Sequence, residues 1–267
     1  MAKVIKTAAC QFPVSADISA NLDWMISFIQ QAGEKDCDVV HFPECCLSGY
    51  ASVDFKTWKN FDWDLLHDSA ERVAQAAKEN NIYVIYGTSR QNETGDKPYN
   101  SLIVIDKAGN TVSVYDKCFC TPKGIAFYQP GTQFVKYEIN GIVCSSLICY
   151  DLRFPEVYRK LKSMGVECIF QSFYNARQRK ASVHTDIMRQ TMQCRAATNY
   201  FWVSMTNSSA PISPYPSAFI RPDGKIAAQL QFDTPGMMIN KIDTSLEFYD
   251  ASGPYRQTAM NGRLNNA

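Results

Sequence analysis

Ser145-Ser146-Leu147-Ile148-Cys149-Tyr150-Asp151-Leu152-Arg153-Phe154-Pro155-Glu156 reads as a buried strand, a sharp bend and the start of a helix. Gly141-Ile142-Val143-Cys144 leads in, and Val143, Leu147 and Ile148 supply the apolar, β-prone content of an interior strand. Pro155 stands where a first-turn proline is tolerated, and Glu156 complements the helix N-terminus. Cys149 is left at the tip of the strand, just before the chain turns. A side chain there is held rigidly yet can face a cleft, and nearby amides can bind a developing oxyanion, the logic of a nucleophile elbow. The same position also suits a small buried hydrophobe, and a nucleophilic thiol needs a base.

The segments on either side follow the same rhythm. Met1 to Phe12 is a first strand, and Leu22, Met25, Ile26 and Ile29 recur at helical spacing up to Gly33. Val39-Val40-His41-Phe42 is a short strand ending at Pro43-Glu44. A second helix is expected from Asp68 or Ser69 as cap to Asn80, followed by the strand Ile82 to Gly87. Ser101 to Ile105 and Thr111 to Tyr115 form a hairpin, a loop runs from Asp116 to Gly131, and Asn140-Gly141 is a tight turn into the Cys149 strand. Beyond it come a helix from Pro155 to Met164, a strand from Glu167 to Phe170, a long helix from Val183 to Asn199 and a strand from Phe201 to Met205. Ser217 to Arg221 and Ile226 to Leu230 make a hairpin about Pro222-Asp223-Gly224-Lys225, and Gly236 to Ile242 is a last strand. Two βαβαβ-like halves, each with a hairpin, predict a two-sheet α/β core with helices outside. No proline- or serine-rich linker divides them, so 1–267 reads as one domain, with 252–267 a polar, unperiodic C-terminal tail that frays or grips a partner subunit.

Composition narrows the class of function. The 267 residues are 46% hydrophobic and 20% charged, enough to bury a substantial core, and the formal charge of +1 comes with no long run of one sign. Nucleic acid and anionic membranes are therefore not the expected partners; a small neutral or weakly charged molecule is. The N-terminal apolar run is too short for a signal peptide, and no stretch approaches a membrane span. Ten cysteines in such a chain are expected as free thiols, with a cytoplasmic location.

Three strand ends carry the chemistry. Phe42-Pro43-Glu44 places a carboxylate at a strand terminus beside a fixed proline, where an apolar setting raises a carboxyl pKa and suits it to shuttle protons. Tyr115-Asp116-Lys117 follows the first hairpin, and a lysine near a thiol favours the thiolate and can bond an oxyanion. Cys149 is the third. Taken singly, Glu44 reads as well as an ordinary turn carboxylate and Lys117 as a solvated lysine. Together, in this order, they resemble the nitrilase superfamily of carbon–nitrogen hydrolases, especially its amidase-like branches. The resemblance spans nearly the whole chain. Tyr128-Gln129-Pro130-Gly131 is similar to the family's aromatic-Pro-Gly turn, Arg195-Ala196-Ala197-Thr198-Asn199 to its Arg-Ala-x-x-Asn helix end, and Pro222-Asp223-Gly224 to its late hairpin turn.

What the resemblance implies is a four-layer αββα sandwich and a Glu-Lys-Cys triad of Glu44, Lys117 and Cys149 that hydrolyses a small amide or N-carbamoyl compound, nitriles being less expected. Cys149 forms a thioester, Glu44 moves the protons, and Lys117 with a backbone amide near Cys149 or Tyr150 holds the oxyanion, with no metal or cofactor. Tyr50, Tyr150, Arg153, Phe173 and Tyr174 are candidate substrate-binding residues, Arg153 for a substrate carboxylate. Packing of the helices Pro155 to Met164 and Val183 to Asn199 across a two-fold axis implies a homodimer or higher homo-oligomer. The chain departs from the pattern in one place that bears on chemistry. The family carries a second glutamate in the loop after the lysine, whereas here that register falls on Gly124, and no Asp or Glu occurs between Lys117 and Gly131. Thr198 also stands where a glutamate is common. The alternative to a hydrolase is therefore a non-catalytic or very slow family member that binds a ligand or partner, and Cys118, Cys120 and Cys149 motivate a third, redox-sensing reading. A Cys-His protease has only His41, His67 and His184 to draw on, none in a favourable motif, and Cys45-Cys46 with Cys118-Phe119-Cys120 lacks zinc-ligand spacing.

Overall fold

The computed structural model describes residues 3–95, 97–177 and 183–265. Its first half runs β1 (Val4–Gln11), α1 (Ile18–Glu34), β2 (Val39–His41), α2 (Trp63–Glu79), β3 (Tyr83–Arg90), β4 (Tyr99–Ile105) and β5 (Thr111–Asp116). Its second runs β6 (Tyr137–Ile139), β7 (Ile142–Ile148), α3 (Pro155–Ser163), β8 (Cys168–Ser172), α4 (Val183–Asn199), β9 (Trp202–Thr206), β10 (Ala218–Ile220) and β11 (Ile226–Gln229). The last strand, β12 (Gly236–Asp243), precedes α5 (Gly253–Met260).

The strands form two six-stranded mixed sheets, ordered β12-β1-β2-β3-β4-β5 and β11-β10-β9-β8-β7-β6. In each, a parallel trio formed through helical crossovers (β1-β2-β3, β7-β8-β9) is extended by antiparallel hairpins. The two halves are not self-contained, because β12 leaves the second half and pairs antiparallel with β1, Val4 opposite Asp243. Three apolar layers separate four layers of structure. One holds Leu22, Met25, Val73 and Ala77 of α1 and α2 against the first sheet. The middle one holds Ile5, Val39, Ile85 and Val104 against Ile142, Cys168, Phe170 and Phe219, sheet on sheet. The third holds Tyr158, Leu161, Met188 and Met192 of α3 and α4 against the second sheet. This is the αββα sandwich.

Two elements differ from expectation. α2 begins at Trp63, not at Asp68 or Ser69, because Asp62 Oδ1 accepts the Leu65 N–H at 2.9 Å and Leu66 is already on the buried face. The tail contains α5, which buries no residue of its own; it is held by Arg256, whose guanidinium donates to the Thr198 carbonyl (3.0 Å) and pairs with Asp250. No helix among the described residues is long and apolar enough to cross a membrane.

Candidate functional site

Glu44 lies in the turn that follows β2. Phe42 N–H donates to the Ile85 carbonyl (2.9 Å) and Leu47 N–H to that of Gly87 (3.0 Å), so the turn is tied down on β3 at both ends. Ser172 and Thr206 hydroxyls donate to the Phe42 carbonyl from the opposite sheet, at 2.8 and 3.0 Å. The Glu44 carboxylate that this turn presents is fully buried. Its Oε1 accepts from Lys117 Nζ (2.6 Å) and Asn100 Nδ2 (2.7 Å), and its Oε2 from the Tyr174 backbone N–H (2.9 Å).

Lys117 is the first residue beyond β5, and its position depends on a close backbone approach. Its own N–H donates to the Asn100 carbonyl (2.8 Å), and its carbonyl accepts from Gly131 N–H (2.9 Å). A Cβ at residue 131 would stand 2.2 Å from the Asp116 carbonyl oxygen, so the glycine of the Tyr128-Gln129-Pro130-Gly131 turn is required for the loop to return beside Lys117. The side chain of Lys117 is 2% exposed. Burial, the largest single influence, opposes its charge, but the Glu44 carboxylate and its hydrogen bond, together with the neighbouring Tyr50 and Cys149 side chains, outweigh it and hold the ammonium well above the usual lysine range.

Cys149 sits at the end of β7 with φ of +40°, a left-handed conformation unusual for a residue with a Cβ. Asp151, fully buried two residues on, braces this bend. Its Oδ2 accepts from Ile148 N–H (2.9 Å) and Tyr115 O–H (2.7 Å), and its Oδ1 from Phe119 N–H (3.1 Å). One carboxylate thus joins the cysteine bend to the segment that carries Lys117. Burial pushes Asp151 up to about 6. Burial and then the Glu44 charge push the Cys149 thiol up to about 12, with Lys117 and the Asn175 carboxamide, which donates to Sγ at 3.4 Å, pulling the other way. The charges of Glu44 and Lys117 therefore both act on Cys149, which rests as a neutral thiol at neutral pH.

Cys149 opens into a cavity of about 360 Å³ lined also by Thr121, Pro122, Lys123, Tyr150, Arg153, Asn175 and Met188. A larger hollow, of about 560 Å³ between α2 and β3 to β5, holds no cysteine. Of the candidate binding residues, Tyr150 and Arg153 line the Cys149 cavity. Tyr50 and Tyr174 do not line it; their rings stack at 5.1 Å beside the catalytic candidates, with Tyr174 O–H donating to Asp54 (2.8 Å). Phe173 is not a cavity residue: its ring is buried edge-on against Tyr215, and only its carbonyl reaches the site, accepting from Glu44 N–H at 3.2 Å. Gly124 is buried at the site wall, where a Cβ would lie 2.9 Å from Thr121 Oγ1 and 3.7 Å from the Tyr50 hydroxyl.

The other cysteine and histidine readings gain no support from geometry. Burial raises both Cys118, to about 11, and Cys120, so neither is a ready thiolate. His41 lies between the sheets bonded to Ser172 and Ser204, His67 is on the surface beside Glu71, and the His184 side chain falls outside the described residues. Among the described residues no cluster of three or more His, Cys, Asp or Glu could hold a metal. Sequence reasoning passed over Asn100, Asp151 and Asn175. Asn175 follows directly on the Phe173-Tyr174 strand end and could have been found by the rule that picked out Glu44 and Cys149. Asn100 reads only as a polar residue inside a strand.

Comparison with known proteins bears on these residues. The family model for carbon-nitrogen hydrolase matches residues 6–248. The 2-oxoglutaramate amidase of Bacillus subtilis (strain 168) is 30% identical over 62% of this chain and 64% of its own length. A protein named hydrolase in agr operon from Staphylococcus lugdunensis is 30% identical over 73% of this chain and 83% of its own, and Omega-amidase NIT2 of Homo sapiens is 25% identical over 74% and 72%. The chain thus spans less than two thirds of the length of the Bacillus relative. Among solved structures, an amidase from Nesterenkonia sp. superposes with a TM-score of 0.81 at 20% identity, covering 97% of this chain and 95% of that one. A variant of the Nesterenkonia sp. AN1 amidase, 18% identical with a TM-score of 0.82 over 97% of each chain, shows covalent addition of the acetamide moiety of fluoroacetamide at its active site cysteine.

Proposed function

The chain belongs to the carbon–nitrogen hydrolase family, and from that premise we propose that it hydrolyses a small amide through a thioester on Cys149. The observation that carries the reading is the fully buried Glu44–Lys117 pair, 2.6 Å apart, with both charges acting on the Cys149 thiol at the edge of a small cavity. A thiol pushed up to about 12 is a poor nucleophile unaided, so a base within the same buried cluster is what the chemistry needs.

In the proposed sequence Cys149 Sγ bonds to the amide carbon while its proton passes to Glu44. Lys117 and a backbone amide near Cys149 or Tyr150 hold the oxyanion. The tetrahedral adduct collapses to a thioester as Glu44 returns the proton to the departing ammonia or amine. Glu44 then takes a proton from water, whose oxygen attacks the thioester carbon, and Sγ leaves and is reprotonated. Tyr150 and Arg153 face the substrate, and Tyr50 and Tyr174 wall the base. Support for an amide substrate comes from the relatives named 2-oxoglutaramate amidase and omega-amidase and from the cysteine adduct of the Nesterenkonia variant. The same relatives disfavour a non-catalytic binding role. The proposal takes residues 1–267 as one domain, in the cytoplasm in keeping with ten unpaired cysteines, and as a homodimer or higher homo-oligomer through α3 and α4, where Val183 and Ile187 are exposed.

The test is ammonia release from a panel of small amides and N-carbamoyl acids together with intact-mass spectra. Turnover with a transient acyl adduct on Cys149, both lost in Cys149→Ala, is expected. Absence of ammonia and of adduct across a panel whose members still bind would sink the hydrolase reading.

A further inference from the structure

Three consecutive residues beyond β8 touch both the proposed base and the proposed nucleophile. The Phe173 carbonyl accepts from Glu44 N–H (3.2 Å), the Tyr174 N–H donates to Glu44 Oε2 (2.9 Å), and the Asn175 side chain donates from Nδ2 to Cys149 Sγ (3.4 Å). Of these contacts only the last falls on the sulfur, and Asn175 also lines the cavity into which Cys149 opens.

Asn175 is held in place where the pairing of the sheet has ended. β8 and β9 run in parallel register as far as Ser172 opposite Thr206, and Phe173 N–H adds one more backbone bond, to the Thr206 carbonyl (2.8 Å). The fully buried Asn207 then takes over with its side chain. Its Oδ1 accepts from the N–H groups of Asn175 (2.8 Å) and Ser208 (3.0 Å), and its Nδ2 donates to the carbonyls of Asn175 (3.2 Å) and Tyr215 (2.8 Å). One buried carboxamide thus uses its full donor and acceptor capacity and fixes both backbone polar groups of Asn175. The Asn175 side chain is therefore aimed at the sulfur from a rigid backbone.

The sulfur needs a donor at two moments. It gains negative charge as its proton leaves for Glu44, and again as the C–S bond of the thioester breaks. Burial and the Glu44 charge both oppose a thiolate, and the Lys117 ammonium is already engaged with Glu44 at 2.6 Å. A thiol or thioester sulfur is a weak acceptor, so a donor fixed on Sγ bonds more strongly to the charged sulfur than to the resting one, and that difference is what speeds a reaction. We infer that Asn175 is a catalytic residue, its Nδ2–H donating to Cys149 Sγ whenever the sulfur carries negative charge. The inference rests on the hydrolase reading and adds a group to its chemistry. Asn175 exchanges no proton itself; the thiol proton goes to Glu44 as the S–C bond forms and comes back as that bond breaks.

The experiment measures the rate at which iodoacetamide alkylates Cys149 at pH 9, by peptide mass spectrometry, in the unaltered protein, Asn175→Leu and Asn175→Asp. Leucine keeps the shape of the side chain and removes the donor, whereas aspartate keeps shape and polarity and replaces the donor with a charged acceptor. Loss of a hydrogen bond to a charged group lowers the thiolate fraction about ten-fold or more. The more basic thiolate is also the better nucleophile, so alkylation should slow by about three-fold or more in Asn175→Leu, and further in Asn175→Asp, where a like charge is added. An unfolded variant would expose an ordinary thiol and react faster, so failure to fold cannot counterfeit the slowing, and Asn175→Asp decides if leucine is not tolerated. A rate unchanged or raised in the folded variants overturns the inference. Turnover separates this role from substrate binding: in Asn175→Leu kcat on the best amide of the panel should fall about ten-fold or more with KM within about three-fold. A raised KM at unchanged kcat would make Asn175 a binding residue and overturn the inference while leaving the hydrolase reading standing. If no amide is hydrolysed, the hydrolase reading fails, and the alkylation rates still decide whether Asn175 holds the thiolate.

Discussion

Cys149 combines a backbone conformation at φ of +40° with a thiol held near 12, so it is both pre-aimed and chemically quiet at rest. Alkylation of the Cys149 peptide by iodoacetamide, followed by mass spectrometry, should keep accelerating above about pH 10, where an ordinary thiol has levelled off. In Glu44→Gln a negative charge that raises the thiol pKa is gone while Lys117 remains, so the profile should move to lower pH by about one unit or more. An unshifted profile would mean that Glu44 does not face the thiol. Glu44, Lys117 and Cys149 were legible in the sequence as candidates only together, because their three strand-end motifs in this order resemble the family pattern, whereas Glu44 and Lys117 taken singly read as well as ordinary surface residues. Asn100, Asp151 and Asn175 were not legible, because their partners lie 56, 36 and 26 residues away.

At the level of elements, turns rather than strands decide where the chemistry falls. Gly131 is the tightest contact point, with the Asp116 carbonyl 2.2 Å from where a Cβ would be, and backbone cannot yield as a side chain can. Gly131→Ala should therefore lower stability by about 2–3 kcal/mol or more, read from urea midpoints, with a parallel loss of activity as the Lys117 segment shifts. Gly95→Ala, where a Cβ meets nothing within 4 Å, is the matched control and should change stability by less than about 0.5 kcal/mol. Equal effects from the two would remove Gly131 from the positioning of Lys117. The hairpins, α1, α3 and α4 follow from local periodicity and caps. The start of α2 was misjudged because Asp62, Asp64, Asp68 and Ser69 are all plausible caps by residue type, and burial of Leu66 is what selects the first. α5 escaped because its sequence has no apolar face to bury.

Across the whole molecule, His41 is one of the polar links between the sheets. Ser172 O–H donates to the Phe42 carbonyl, which leaves Ser172 Oγ to accept from His41 Nε2–H (2.9 Å), and Nδ1 then accepts from Ser204 O–H (2.9 Å), so the ring is neutral. Burial pushes it down to about 3 from its ordinary 6.5. The unfolded chain thus binds the extra proton between these limits, and the His41 contribution, complete above pH 6.5, is lost as pH falls toward 3. Asp151 acts in the opposite sense. Raised to about 6 from 3.8, it binds its proton first in the folded state, and its contribution, complete below pH 3.8, is lost as pH rises through 6. The two offset each other in mild acid, so the clean measurement is a difference. The unfolding free energy of the protein minus that of His41→Asn should fall by about 3 kcal/mol between pH 6.5 and 4, and a constant difference would show that His41 titrates normally.

The sequence by itself determined the order of elements as far as β12, the two-sheet α/β class and the three strand-end residues proposed to carry the chemistry, because these depend on periodicity, caps and short motifs within a few residues of one another. Tertiary structure alone decided that β12 returns to β1 across the chain, that Phe173 turns into the core while Asn175 reaches the thiol, and that Lys123 and Arg153 line the Cys149 cavity with no carboxylate beside them among the described lining residues. Each of these depends on which distant segments meet and what they exclude from water, and neither the pairing nor the burial is written in any local run of residues.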